Sequence, residues 1–534
     1  MENALSNSIP ESFRDVSVLI SGGTGFMGKV LTEKLLRSCP DLRHVYLLVR
    51  EKRGKNMHQR LDEIFEDPLF SVLEREQPKY RHKVTGVSCD MGARGLALSE
   101  HDKDLLVQEV SAVFHGAATV RFDEQLRTAY NINVRGTQEM INLAKEMKNL
   151  KVFVHVSTAY ANCHLETIEE TLYPTPMAHD RLKEIVEHVD DDVLLEAMLP
   201  KLLGKWPNTY AFTKAVAEHV VQEHSKTLPI TIFRPAIVVG TAYEPLIGWT
   251  DNVYGPTGIV VGAGCGVVHT IYANTDCVAN IVPVDMTVNA LIASAWKTIK
   301  DSQNKQAPEE PKDLVSDEPK IYNYVSSVEK PLKWGDFKYL IETHGTSVPP
   351  MRAMWYYFLT IHRFWITHLI CTYFLHYLPA IIIDILAKLT GKESPNLFQV
   401  YRKIDKFSGV LAYFAHRSWN FSNNNVQELW RSLSPSDQKL FNFDMKQLDW
   451  DKFFYNYIRG LRVYLLKDDM STLPQAMIRW RRFYWAHQTL KAIFGFPRTP
   501  SQLGVWLYLL QRSQLVFCSP TVVLFISECS YLLV

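Results

Sequence analysis

Two residues four positions apart, Tyr210 and Lys214, carry the clearest chemistry in the sequence. The stretch that begins at Tyr210 has helical character, so the phenol and the ammonium share one helix face, a turn apart. An ammonium near a phenol favours phenolate and lowers a tyrosine pKa that is normally ~10, which lets the group pass a proton at neutral pH. Ser157 and Thr158 follow a predicted strand, and either hydroxyl could hydrogen-bond a substrate carbonyl oxygen. A surface helix that carries the pair by chance is the alternative.

A glycine-rich turn near the N-terminus offers a site for a dinucleotide. The run SGGTGFMG at 21–28 lies between a predicted strand, 16–20, and a helical pattern. Such a turn admits positive φ and brings backbone N–H groups close to a pyrophosphate at the positive end of a helix dipole. An ordinary glycine-rich turn is the alternative. The expected cofactor contacts in this run are Gly22, Gly25, Phe26, Met27 and Gly28.

The end of the second predicted strand, 45–49, distinguishes between the two nicotinamide cofactors. An acidic residue there would bind the ribose hydroxyls of NAD, whereas this chain has Arg50, with Lys52 and Arg53 beside it. A guanidinium can pair with a 2′-phosphate and stack on adenine, so the pattern favours NADPH. Solvated surface charges after a strand are the alternative.

Two further strand ends belong to the same expected site. Asp90 follows the third strand, where it could hydrogen-bond the adenine amino group or simply form a turn. Ala117 lies in a run of small residues after the fourth strand, which would let a cofactor lie against the backbone. His115, in the same run, is either part of the site or a buried, hydrogen-bonded histidine.

These residues must be positioned by a sheet of the doubly wound α/β class. Apolar runs rich in β-branched residues alternate with helical stretches, which predicts a Rossmann-type parallel sheet covered on both faces. The predicted strands are 16–20, 45–49, 84–87, 112–115, 152–156 and 230–233. A chain of 534 residues is too long for one core, so two or more domains are expected.

The C-terminal part differs in character and is expected to be mostly α-helical and membrane-associated. Trp and Tyr crowd toward it, and twenty residues from Phe364 to Ile383 contain no charged side chain. That length could span a bilayer, lie on its surface as a helix or re-entrant hairpin, or form a buried helix of a soluble domain. The predicted division is 1–350 catalytic, 351–390 membrane segment, 391–495 helical domain and 503–534 apolar tail, with a charged exposed loop at 301–320.

Composition excludes some classes of function. The 58 Lys and Arg balance 57 Asp and Glu, and no basic tract is present, so nucleic acid is not an expected partner. Eight cysteines without a CxxC pair predict neither a disulfide framework nor a zinc site. The cysteines are expected to be reduced thiols of a cytosol-facing protein, and the N-terminus has no pattern of a secretory signal.

Several longer motifs are less generic than the glycine turn, and they resemble those of one family. The chain resembles extended short-chain dehydrogenase/reductases, and more narrowly the fatty acyl-CoA reductases of animals and plants. The resemblance covers roughly residues 14–490 and includes their C-terminal male-sterility-type domain. It is carried by SGGTGFMGKVL from Ser21, VFHGAATVRFDE from Val113, HVSTAYAN from His155, YAFTKAVAE from Tyr210, FRPAIVVG from Phe233, WNFSNNNVQELW from Trp419 and FNFDMKQLDW from Phe441.

The resemblance implies a reaction and a role for each matched residue. The reaction is NADPH-dependent reduction of a long-chain fatty acyl-CoA to a primary alcohol, with release of CoA. Tyr210 would donate the proton, Lys214 would lower its pKa and bind the nicotinamide ribose, and Thr158 rather than Ser157 would orient the carbonyl. The three glycines would hold the pyrophosphate, and Arg50 the 2′-phosphate.

The same resemblance implies a place in the cell. Relatives act at the endoplasmic reticulum or the peroxisome, so an intracellular membrane with the catalytic domain facing the cytosol is expected, with membrane lipid as a partner and self-association open. A nucleotide-sugar epimerase or dehydratase and a catalytically silent NADP-binding protein are the alternatives. Removal of residues 351–534 is expected to leave a dinucleotide-binding fold that no longer binds membranes.

Overall fold

The computed structural model describes residues 8–51, 54–304, 318–390 and 396–494. Lys52, Arg53, most of the predicted loop at 301–320 and the whole tail at 503–534 lie outside the described residues. The strands are β1 (Ser17–Ser21), β2 (His44–Val49), β3 (Val84–Ser88), β4 (Ala112–His115), β5 (Val152–Val156), β6 (Thr167–Ile168), β7 (Ile230–Pro235), β8 (Ile237–Val239), β9 (Thr270–Tyr272), β10 (Ile281–Pro283), β11 (Lys320–Tyr324), β12 (Thr360–His362) and β13 (Asn420–Phe421).

Helices make up most of the remaining structure. The α-helices are Ile9–Ser12, Phe26–Ser38, Met57–Phe65, Ser71–Glu76, Glu100–Glu109, Leu126–Ala129, Gly136–Glu146, His179–His188, Asp192–Leu203, Thr209–His224, Pro256–Gly264, Val284–Asn304, Trp334–Gly345, Trp365–Thr372, Leu378–Leu389, Leu397–Ala415, Asn424–Ser432, Pro435–Leu440, Trp450–Gly460 and Leu473–Phe494. Shorter 3-10 or π-helical segments are Pro68–Phe70, Tyr80–Lys83, Arg94–Ala97, Tyr130–Arg135, Tyr373–Tyr377, Leu461–Leu465, Met445–Gln447 and Met470–Thr472.

Seven strands form one parallel sheet in the order β11-β7-β5-β4-β1-β2-β3. The sequence predicted six of these strands within two residues, and the predicted Rossmann-type class is confirmed. The chain winds outward from β1 in both directions, so the strand order reverses between β1 and β4. In doubly wound sheets, ligands bind at the carboxyl ends of the strands at such a switch point.

The sheet is buried because its strands are apolar on both faces. All five residues of β1 are buried, as expected for a central parallel strand. One face packs on the helices Gly136–Glu146 and Thr209–His224. The shared core includes Leu19, Val113, Phe153 and Ile232 of the strands with Met140, Ile141, Phe212, Val216 and Val220 of the helices.

The described chain forms two compact units, each assembled from separate segments. Unit 1 comprises residues up to 247, 280–331 and 419–448, and it contains the seven-stranded sheet. Unit 2 comprises 248–279, 332–418 and the residues from 449 onward, and it is mostly helical. These units are defined by contacts and not by function. The division of the chain into consecutive domains that end at residues 350, 390 and 495 therefore stays a prediction.

In the part of the chain that the structure describes, one helix is long and apolar enough to cross a membrane, Trp365–Leu389. It is continuous through a π-helical turn and is mainly exposed, which disagrees with the buried soluble helix considered above. Four residues spaced by one helical turn form its buried face: His368, Thr372, His376 and Ala380.

Candidate active site

The helix Thr209–His224 places a tyrosine and a lysine beside the end of β5. Asn208 caps this helix, since its side-chain oxygen accepts the backbone N–H of Ala211 at 2.8 Å. The cap fixes the first turn, which carries Tyr210. The Tyr210 hydroxyl lies beside the side chain of Thr158, and the ring stacks on Phe122 with centroids 5.8 Å apart.

Lys214 is buried one turn further along the helix. Its Nζ donates to the backbone oxygen of Val156 at 2.7 Å. Burial lowers the pKa of Lys214 to about 8, against an opposing effect of the Glu218 carboxylate. Burial likewise raises the pKa of Tyr210 to about 12, against the hydrogen bond from Thr158. Desolvation is the larger of these two effects on Tyr210, and the lowering of its pKa by the Lys214 ammonium stays a prediction.

The structure separates the two hydroxyls that the sequence left as alternatives. Ser157 donates to the Glu218 carboxylate at 2.5 Å. Glu218 also forms a two-point ion pair with Arg234, with distances of 2.8 and 2.7 Å, and all three side chains are buried. Ser157 is thus held in a structural network, whereas Thr158 lies beside Tyr210.

The glycine turn follows β1 at the switch point and brings two backbone segments close together. Gly22 has a φ of +78°, and a Cβ added there would lie 2.8 Å from the backbone nitrogen of Ala117. A Cβ on Gly28 would overlap the backbone oxygen of Gly22. Gly25 is the residue before the helix Phe26–Ser38, so Phe26, Met27 and Gly28 form the first turn of that helix. This bare backbone at a helix N-terminus fits a dinucleotide pyrophosphate.

His115 and Asp90, each of which could belong to the cofactor site or serve the fold, both form hydrogen bonds within the protein. His115 is fully bonded, with Nδ1 2.7 Å from the Ser21 hydroxyl and Nε2 3.0 Å from that of Thr137. Burial lowers the pKa of His115 to about 3, so it is neutral and belongs to the core. Asp90 accepts the backbone N–H of Gly92 at 2.9 Å, as a turn residue does.

A second arginine, which the sequence analysis did not single out, lies beside Arg50. Arg50 is exposed directly after β2. Arg60, on the helix Met57–Phe65, donates to the backbone oxygen of Arg50, and its other terminal nitrogen lies 3.4 Å from the Thr24 hydroxyl of the glycine turn. The Arg60 guanidinium therefore lies at the edge of this turn, and the charge of Arg50 is near enough to help lower the pKa of Arg60, after the larger effect of burial. Arg60 comes ten positions after Arg50, and the helix Met57–Phe65 returns it to the glycine turn. Sequence spacing alone therefore does not indicate that Arg60 belongs to this site.

Sequence comparisons identify close relatives over nearly the whole chain. Two family models, both described as male sterility protein, match residues 20–291 and 375–468. The fatty acyl-CoA reductase wat of Drosophila melanogaster is 41% identical over 483 residues, which are 90% of each chain. Fatty acyl-CoA reductase 1 of Xenopus laevis is 38% identical over 95% of this chain and 94% of its own. The human fatty acyl-CoA reductase 1 is 37% identical with the same coverage.

Solved structures agree on the fold. The terminal R domain of the myxalamid biosynthetic pathway has a TM-score of 0.53 at 20% identity, covering 84% of this chain and 90% of that domain. The reductase domain of a nonribosomal peptide synthetase from Mycobacterium tuberculosis has a TM-score of 0.54 at 16% identity, covering 84% and 91%.

Proposed function

The chain belongs to the fatty acyl-CoA reductase family, and from this premise we propose that NADPH drives its reaction and that Tyr210, Lys214 and Thr158 act on the substrate carbonyl. The enzyme reduces a fatty acyl-CoA to a primary alcohol and releases CoA, using a nicotinamide cofactor. The epimerase and the silent binding protein are not favoured by these relatives. The observation that carries the assignment of residues is that Tyr210 and Thr158 lie together at the end of β5, where Lys214 donates to the backbone oxygen of Val156.

The preference for NADPH rests on the two arginines at the edge of the glycine turn. Arg50 and Arg60 offer planar, permanently charged groups that can each bind two oxygens of a 2′-phosphate. Thr24 lies within reach of Arg60, which ties this pair to the turn that would hold the pyrophosphate. NADH lacks the phosphate, so it would leave two cations close together without a counter-charge.

The proposed chemistry takes two reductions, and a bound nicotinamide would supply one hydride to each. The thioester carbonyl becomes a hemithioacetal, which loses CoA as a thiol to give an aldehyde, and the aldehyde becomes the alcohol. In both reductions Tyr210 donates its proton to the developing alkoxide, and Thr158 donates a hydrogen bond to the same oxygen. Lys214 contributes a nearby positive charge, and its ammonium would donate a hydrogen bond to the ribose of a bound cofactor. The balance is one acyl-CoA, two NADPH and two protons to one alcohol, one CoA and two NADP⁺.

We place the enzyme on an intracellular membrane, with the helix Trp365–Leu389 lying in the plane of the bilayer surface. One face of the helix is bonded to β9 and the residue before it, since His376 accepts the backbone N–H of His269 at 2.9 Å and His368 contacts the Thr270 hydroxyl at 3.2 Å. A helix held lengthwise by polar contacts on one side favours in-plane attachment over spanning. Its outward face is exposed and apolar: Ile366, Leu369, Ile370, Tyr373, Phe374, Ile382, Ile385, Leu386 and Leu389.

The charges around this helix suit an anionic lipid surface. The two acidic residues of the described part of 363–417 are engaged, Asp384 with the N–H groups of Leu397 and Phe398, and Asp405 with the Tyr377 hydroxyl. The exposed charges there are basic: Arg363, Lys388, Arg402, Lys403, Lys406 and Arg417. Such groups add about 1 kcal/mol each near an anionic leaflet. The endoplasmic reticulum or the peroxisome, with the active site toward the cytosol, is the proposed location.

The direct test is product analysis with the purified full chain. Stearoyl-CoA and NADPH should give octadecanol, detected by gas chromatography, with two NADPH oxidised for each alcohol formed. NADH should support a kcat/KM at least tenfold lower. Tyr210→Phe should abolish turnover and leave NADPH affinity within twofold. A wild-type enzyme that binds NADPH but forms no alcohol from any acyl-CoA would contradict the proposal.

A further inference from the structure

A cluster of metal-ligating side chains lies in unit 1, outside the residues proposed to act on the substrate carbonyl. His219 and Glu223 are four positions apart on the helix Thr209–His224, so they share one helix face. His179, the first residue of the helix His179–His188, completes the cluster. One ligand atom from each of these three side chains lies within 4.8 Å of the other two.

The separations within the cluster are those of neighbouring ligands on one metal ion. His179 Nδ1 lies 3.4 Å from one carboxylate oxygen of Glu223, and His219 Nδ1 lies 3.4 Å from the other. A tetrahedral Zn²⁺ has Zn–N and Zn–O bonds of ~2.0–2.2 Å, which places neighbouring ligand atoms ~3.3–3.6 Å apart. Both contacts therefore have the spacing of a zinc coordination sphere.

Hydrogen bonds within the protein do not account for this arrangement. His219 Nδ1 is buried and has no hydrogen-bond partner among the described residues. A buried ring nitrogen without a partner costs free energy, which a bound ion would recover. His179 presents its other ring nitrogen, Nε2, to Asp180 Oδ1 at 3.2 Å. A carboxylate behind the imidazole is usual at zinc sites, because it orients the ring and increases its basicity.

The ligand atoms and their exposure select the kind of ion. Two imidazoles and one carboxylate suit Zn²⁺, whereas Mg²⁺ and Ca²⁺ prefer oxygen ligands alone. The three side chains are partly exposed, so an ion reaches them from solvent. The cysteine pattern of the sequence could not indicate such a site, because the cluster contains no cysteine.

We propose that His179, His219 and Glu223 form a Zn²⁺ site. The metal joins the helix His179–His188 to the helix that carries Tyr210. At ~1.5 Å per residue, His219 and Glu223 lie ~14–20 Å along that helix from Tyr210. The ion is therefore remote from the substrate carbonyl, and its role is to hold the two helices together.

Zinc binding to the full chain tests the site. Competition with a chromophoric chelator measures the Zn²⁺ affinity of the wild type, of His219→Ala and of His188→Ala. His188 is the matched control, because it is an exposed histidine four positions after the carboxylate of Glu184 and lies outside the cluster. We expect His219→Ala to lower the affinity at least ~10-fold and His188→Ala to keep it within about twofold of wild type. Wild-type affinity in His219→Ala, or a wild type that binds no Zn²⁺, would overturn the proposal.

Hydrogen exchange and thermal melting test the link between the helices, and neither needs turnover. Zn²⁺ should slow amide exchange in residues 179–188 of the wild type but not of His219→Ala, although that substitution is on the other helix. Because the metal binds the folded arrangement, it should also raise the Tm of the wild type by at least ~2 °C. Glu223→Gln keeps the size of the side chain and should lose both effects as well. Exchange in 179–188 that Zn²⁺ leaves unchanged in the wild type would overturn the link.

Discussion

The hydroxyl groups of Ser157 and Thr158 are adjacent in sequence but have different partners, and this difference predicts different effects of mutation. Thr158→Val removes a hydrogen bond to Tyr210 and to the reacting oxygen, so kcat should fall on the order of 10²-fold. Ser157→Ala removes a bond to a buried carboxylate, so unfolding should become easier by ~1.5–3 kcal/mol while kcat stays near wild type. Steady-state kinetics and thermal melts separate the two roles. Equal losses of kcat in both variants would contradict this assignment.

Loss of the proton from Lys214 is expected to limit activity at alkaline pH. Burial lowers its pKa to about 8, so the ammonium loses its proton, and its charge, as the pH rises through that value. Activity should therefore be highest below pH 8 and decline above it. The ionisable groups facing Lys214 are Glu218, His115 and His155, and burial keeps both histidines neutral in this range. A kcat/KM profile from pH 6 to 10 measures this limb, which Lys214→Arg should move to higher pH. A limb at pH 8 that persists in Lys214→Arg would assign it to another group.

At this scale the sequence predicts residue types better than it predicts electrostatics. Tyr210, Lys214 and Thr158 are found together because helical spacing and a strand end are local patterns. The direction of the shift in the Tyr210 pKa could not be predicted from sequence, because it depends on how far the fold buries the phenol. Arg60 was missed for a related reason, since its partner Thr24 is 36 positions away.

Among the elements, the turn after β1 makes the most specific steric demand. Gly22→Ala would place a methyl group against the backbone of Ala117 in a left-handed conformation. NADPH affinity should fall at least tenfold, as measured by fluorescence titration, because the two backbones that approach the cofactor must separate. Gly95→Ala is the control, since Gly95 also has positive φ but has no neighbour within 4 Å of its added Cβ. It should cost ~1–2 kcal/mol in stability and leave NADPH affinity unchanged. Similar losses of affinity in both variants would show that strain, not contact, is responsible.

The exposed apolar face of the helix Trp365–Leu389 is expected to bind the enzyme to a membrane. Ile366 and Ile370 lie on its apolar face and are 71% and 52% exposed. The double substitution Ile366→Glu and Ile370→Glu places two negative charges on that face. In a chain that ends at residue 494, so that the apolar tail does not contribute, binding to anionic phospholipid vesicles should fall at least tenfold in sedimentation assays. Val193→Glu, at an exposed residue of unit 1, should change nothing. Vesicle binding that survives the double change would contradict attachment by this face.

Long elements were predictable from sequence, and short pairings between distant segments were not. The strands from β1 to β5 and β7 are continuous apolar runs, which is why their positions could be read within two residues. The two-residue pairing of β6 with β13 joins segments more than 250 positions apart, and no local pattern marks either strand. The polar buried face of Trp365–Leu389 was equally hidden, because the sequence does not show which segments His368 and His376 pack against.

For the whole molecule, the important feature is that unit 1 is completed by a segment from far along the chain. Residues 419–448 belong to it although they follow unit 2 segments in sequence. The Trp419 indole donates to the backbone oxygen of Cys163 at 3.0 Å, and its ring packs edge-on against Tyr160. Glu170 accepts the N–H of Asn425 at 2.7 Å, and Tyr324 donates to the oxygen of Phe443 at 3.0 Å.

This completion predicts that a chain cut after residue 350 will fail to fold, contrary to the expectation from sequence. The cut removes the buried side chains of Trp419, Phe421 and Phe443, each worth ~3–5 kcal/mol, from a domain whose net stability is typically ~5–15 kcal/mol. A chain ending at residue 448 is the matched comparison, because it also loses the end of unit 2 but keeps unit 1 complete. We expect residues 1–448 to bind NADPH and melt cooperatively, and residues 1–350 to aggregate or melt without a transition. Equal NADPH binding and equal melting of the two chains would show that 419–448 is dispensable for the nucleotide-binding fold.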